Sequence, residues 1–197
     1  MNNNKKNFQF FYILITSLYY PAVLGAIFYS LIDCFPNVMQ DKNNILYILA
    51  ALAIMMSFSV DFLYSYASRA FYSIIHFIFD LLIITLLFCS YKALINGIKN
   101  SEPIPFFFIG FIFIHIIFVI WDIFFVPKDK GNGKFKAFNL MTIFDSIFLL
   151  FTILCFMIFR DSYKLGILYL WIFTIPYMII GSSVIKELSK ATGKEKS

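Results

Sequence analysis

The sequence predicts an all-α polytopic membrane protein, a bundle of about six transmembrane helices with both termini cytoplasmic, and three observations carry that prediction. Of 197 residues 61% are hydrophobic and only 14% charged, with a mean hydropathy of +0.83. That is more apolar matter than a soluble core of this length uses. The apolar residues come in uninterrupted runs near 8–32, 45–66, 71–95, 104–126, 137–159 and 165–185, each close to the roughly 20 residues that a spanning helix needs. The basic residues are divided unevenly between the two sets of connections. Runs without period-two alternation argue against a β-barrel. No polar stretch is long enough for a soluble domain, so residues 1–197 are expected to form a single transmembrane domain.

The first run follows Lys5 and Lys6 as a secretory signal would, but it continues for some 24 apolar residues with no A-x-A-like exit, and it predicts a retained helix. Asp33 directly before Cys34 spoils a lipoprotein cleavage box. Pro21 and Gly25 in this run, like Pro176 and Gly181 in the last, offer kinks or hinges. Ala22 and Ala26, with Gly25 between them, give it a small-residue face suited to tight helix contact or association with a partner, and a homo-oligomer is among the expected assemblies.

In the second run Ser57, Asp61 and Tyr64 recur at helical spacing, placing a hydroxyl above and below a carboxylate. The third run carries His76 and Asp80 four residues apart on one face, and the fourth carries His115 and Asp122 two turns apart. The connection from Pro127 to Ala137 turns at Gly131, Asn132 and Gly133. Its Gly131-x-Gly133-Lys134 lacks the spacing of a phosphate-binding loop. The fifth run sets Thr142 and Thr152 about Asp145, and the sixth leads into a basic tail.

Lys5, Lys6, Arg69, Lys128, Lys130, Lys134, Lys136, Lys186, Lys190, Lys194 and Lys196 fall on one side of this layout, against Lys42, Lys92, Lys99, Arg160 and Lys164 on the other. The richer side is predicted to be cytoplasmic, which places the chain as a multi-pass protein of the cell inner membrane. The positive charge serves topology and anionic lipid rather than nucleic acid. A cytoplasmic protein partner would meet Lys128, Lys130, Lys134, Lys136 and the C-terminal tail. The 27 Phe and 12 Tyr, with abundant Ile, Asn and Lys, are what AT-rich codons produce, which points to a bacterial source and makes the aromatics lipid-facing filler. Cys34, Cys89 and Cys155 show no paired spacing; a Cys34 to Cys89 bridge is open to this topology, and inert buried thiols are the default.

Carboxylates and imidazoles inside such runs are expensive and mark sites. Asp61, Asp80, Asp122, Asp145, His76 and His115 are the candidate ion- or substrate-binding residues. Phe79-Asp80-Leu81-Leu82 leading to Cys89 parallels Phe144-Asp145-Ser146-Ile147 leading to Cys155, suggesting a repeated hairpin with an acid on each arm. From the expected helix ends Asp80 and His115 come out deepest, at roughly 15 Å by the rise per residue, and the rest nearer the cytoplasmic ends. The leading expectation is a transport or channel protein for a cation, proton or small solute. A membrane-anchored sensor, scaffold or effector subunit is the second. A metal-dependent enzyme on a lipid-like substrate, with His76, Asp80, His115 and Asp122 as ligands, is the third. No cofactor motif is present.

Overall fold

The structure, a computed structural model, describes residues 10–34, 42–67, 73–124, 128–129, 133–134 and 136–194. Its helices are α1 (Tyr20–Cys34, entered through a π-helical turn Ile15–Tyr19), α2 (Lys42–Ala67), α3 (Ile74–Asn100), α4 (Pro105–Phe124), α5 (Lys136–Phe159) and α6 (Tyr163–Lys194). Six stretches, Phe10–Asp33, Asn44–Tyr64, Ile74–Asn100, Pro105–Phe124, Asn139–Phe159 and Tyr163–Glu187, are long and apolar enough to cross a membrane, the architecture of a multi-pass membrane protein. Two short strands, β1 (Lys128–Asp129) and β2 (Gly133–Lys134), pair antiparallel between α4 and α5. Arg69, Lys130 and the turn residues Gly131 and Asn132 lie outside the described residues, as do the side chains of Cys34, Lys128, Lys134 and Lys136.

Local chemistry explains several helix ends. Ser73 is extended, with φ −134° and ψ 174°, and its N–H donates to Nδ1 of His76 at 3.0 Å, satisfying a donor that the first turn leaves open. The helix expected from residue 71 therefore begins at Ile74. At its other end Ser101 takes the left-handed conformation, φ 55°, which terminates α3. Pro105 opens α4, where a missing N–H costs nothing. The π-helical turn meets Pro21: a proline ring crowds the carbonyl four residues back, and widening the preceding turn relieves it. Pro176 sits inside α6 without ending it.

Helices α2, α3, α4, α5 and α6 pack in that order into a ring that closes from α6 back onto α2, while α1 lies outside against α2. Gly181 marks the closure: a Cβ there would stand 2.6 Å from Val60 Cγ1, so α6 rests directly on α2 beside Asp61. Outward faces are apolar, with Phe106, Phe124, Leu150, Met157 and Ile179 exposed, as contact with lipid requires. Inside, the half of the ring nearer the N-terminal end of α4 is filled by rings. Phe107, Phe108 and Phe111 of α4 surround Tyr169 of α6 at centroid distances of 5.9, 5.6 and 5.3 Å, with Phe148 and Phe173 behind.

Candidate functional site

At the opposite end of the ring the four intramembrane aspartates converge. Asp61 of α2, Asp80 of α3, Asp122 of α4 and Asp145 of α5 line one cavity together with Tyr20, Tyr64, Trp121 and Tyr177. The space they enclose holds little more than one water molecule. No lysine or arginine among the described residues lines it. Each acid is buried, and Asp145 is fully so.

Their partners differ. Tyr177 donates its hydroxyl to Asp61 Oδ1 across the α2–α6 contact. Trp121 Nε1 donates to Tyr64 Oη at 2.9 Å; the Tyr64 hydroxyl points to Asp122 Oδ1 at 3.5 Å and that of Thr142 to Oδ2 at 3.4 Å. Asp145 Oδ1 lies 3.4 Å from His115 Nδ1. The second oxygens of Asp61 and Asp145 are buried with no hydrogen-bond partner, although a buried polar atom is normally satisfied.

Asp80 is not the deepest of the acids, as the expected helix start implied. With α3 beginning at Ile74, Asp80 is six residues in, roughly 9 Å by the helical rise, level with Asp61 six residues before the end of α2. The two histidines are not on the cavity wall. His76 serves the start of α3: Ser73 Oγ lies 2.6 Å from Nδ1, and its ring packs edge-on against Trp121 at 4.2 Å. His115 sits behind Asp145 among Phe111, Phe118, Phe148 and Phe173, with Nε2 3.0 Å from Tyr169 Oη. Among the described residues no three His, Cys, Asp or Glu side chains assemble in a way that could hold a metal ion. The set His76, Asp80, His115 and Asp122 is thus not gathered, because each imidazole is engaged elsewhere. Cys89 is a free exposed thiol and Cys155 a free buried one, so Cys89 forms no bridge to Cys34.

No family model matches the chain, and no curated protein or solved structure is detectably similar to it.

Tyr64 was singled out by its spacing from Asp61, but the tyrosines of α6 were overlooked. Tyr169, Phe173 and Tyr177 recur every four residues on α6 and form one inward stripe. Counting aromatics as filler concealed it; the polar tips on a single face were the available signal. Beside them Thr174 pairs with Ser57 at 3.0 Å, one turn from Asp61.

Proposed function

We propose that this chain is a small transport or channel protein of the inner membrane, with both termini cytoplasmic, whose acid cavity takes up and releases protons. The buried, unpartnered oxygens of Asp61 and Asp145 carry this reading. A carboxyl oxygen kept in the interior without a donor is an open acceptor in a place where ionisation is expensive, and protonation removes the charge. The cavity's size, little more than one water, favours a proton over a larger solute. Its position, at the end of the bundle where the basic connection between α4 and α5 lies, favours access from the cytoplasm.

Proton flux into liposomes tests this. With purified protein, an internal pH-sensitive dye and an imposed inside-negative membrane potential, wild-type protein lets protons enter and acidify the lumen, while Asp61→Asn and Asp145→Asn, incorporated to the same level, do not. Undiminished flux in both variants refutes the proposal. A scaffold or sensor subunit moves no protons in the same vesicles.

A further inference from the structure

A chain of hydrogen bonds runs from the cavity into the aromatic half of the bundle, and each link constrains the next. Thr152 Oγ1 lies 2.6 Å from the carbonyl of Phe148. A carbonyl only accepts, so the single hydroxyl hydrogen of Thr152 points there. Thr152 Oγ1 is also 2.5 Å from Tyr169 Oη, and with its own hydrogen committed it must accept. Tyr169 therefore donates to Thr152. Its one hydrogen spent, Tyr169 Oη accepts at 3.0 Å from His115 Nε2, so Nε2 carries a hydrogen. At the far side of the ring, Nδ1 faces Asp145 Oδ1 at 3.4 Å with both side chains fully buried. That contact is attractive only if one proton lies between the two atoms, either as a carboxylic acid donating to a neutral imidazole or as an imidazolium donating to a carboxylate.

We infer that His115 and Asp145 together hold one exchangeable proton, with Thr152 and Tyr169 acting as positioning residues that fix the Nε2–H tautomer and leave Nδ1 as the working nitrogen. This rests on the proton-transport reading of the cavity. On release the N–H or O–H bond between the pair breaks and the proton passes to an acceptor in the cavity, water or the open oxygen of Asp61. The neutral Nε2–H imidazole and the carboxylate are left with lone pairs opposed. Asp145 is then driven from His115 toward the cavity that its other oxygen already lines, so loading state and side-chain position are coupled. The groups that bear on this proton are Asp61 and Tyr64 on α2, Asp80 on α3, Asp122 on α4 and Tyr177 on α6, which share the cavity with Asp145. Tyr169 faces the other side of the imidazole, and Cys155 on α5 is near Tyr169.

The chain has only two histidines, so nitrogen-15 histidine labelling and solid-state NMR in lipid bilayers give a direct readout, with His115→Gln identifying the His115 signals by their loss. The expected spectrum has Nε2 protonated at every pH at which the protein is folded, and an Nδ1 signal that shifts with pH in wild type. In Asp145→Asn that shift disappears, because the amide is a permanent donor to Nδ1. A hydrogen on Nδ1 with a bare Nε2 overturns the inference, as does an Nδ1 signal indifferent to pH. The wild-type spectrum alone decides the tautomer, even where a variant fails to accumulate. The expected tautomer in a protein without proton flux defeats the transport reading only; flux with the opposite tautomer defeats this inference only.

Discussion

Tyr177 of α6 gives its hydroxyl hydrogen to Asp61 of α2, four residues before the glycine at which the same two helices touch. One helix pair thus supplies both a carboxyl of the cavity and the hydrogen bond it accepts, the only one seen for it among the described residues. Tyr177→Phe leaves a buried carboxyl with no donor on either oxygen, and such an orphaned group typically costs about 1–3 kcal/mol. Stability measured by unfolding in mixed micelles is expected to fall by that amount. In the Asp61→Asn background the same substitution costs less, and a double-mutant cycle measures the difference.

Gly181→Ala is expected to destabilise the protein by about 1–3 kcal/mol, the usual penalty for overpacking, because its Cβ would lie 2.6 Å from a methyl of the stiff Val60 side chain. Adding Val60→Ala removes that methyl and restores thermal stability. Failure of the second change to rescue the first would show that α6 and α2 do not meet there.

Asp80 and Asp122 contribute the remaining carboxyls to the cavity. Asp80→Asn and Asp122→Asn keep shape and remove titration, so both variants are expected to accumulate in the membrane with unchanged oligomeric state while proton flux falls about tenfold or more, a barrier change of at least 1.4 kcal/mol. Gel filtration and vesicle assays on the same preparations check both halves.

Thiol labelling reads the placement of α3 and α5. In a Cys34→Ser background Cys89, exposed in the middle of a membrane-length helix, should react with a lipid-soluble maleimide and resist a membrane-impermeant one. Cys155, buried against the core, should label only after denaturation. Rapid labelling of Cys89 by the impermeant reagent in sealed membranes would contradict the span assigned to Ile74–Asn100.

Reporters fused after Ser197 and within the connection between α4 and α5 are expected to give cytoplasmic signals. A periplasmic signal from either reverses the side from which the cavity is reached.

The six helices were legible because hydrophobic run length is a strong, local signal, and the acids because charge inside such a run stands out against it. Helix ends were less so. The start of α3 depends on the His76 ring accepting from Ser73, a contact that apolar composition does not register. The shared cavity was legible only by halves: face and turn arithmetic put each acid beside a polar residue of its own helix, hydroxyls for Asp61 and Asp145 and a histidine for Asp80 and Asp122, yet which helices adjoin is a tertiary fact. Tyr177, supplied by a sixth helix that bears no intramembrane acid, had no marker of that kind. His115 was grouped with Asp122 by spacing along α4. In the folded ring it turns instead to Asp145 of the neighbouring helix, because a helix face points at whatever packs against it.

The rings around Tyr169 set a tempo. Phe107, Phe108 and Phe111 are almost wholly inaccessible and interlock with Phe173 and Tyr169 at 5–6 Å, so among the described residues these rings fill and seal their half of the bundle. Passage across that seal requires several large side chains to swing together, a collective motion of the microsecond-to-millisecond class. If the bundle moves protons as proposed, packing of this kind predicts stepwise turnover, and patch-clamp traces should lack the square unitary currents of an open pore.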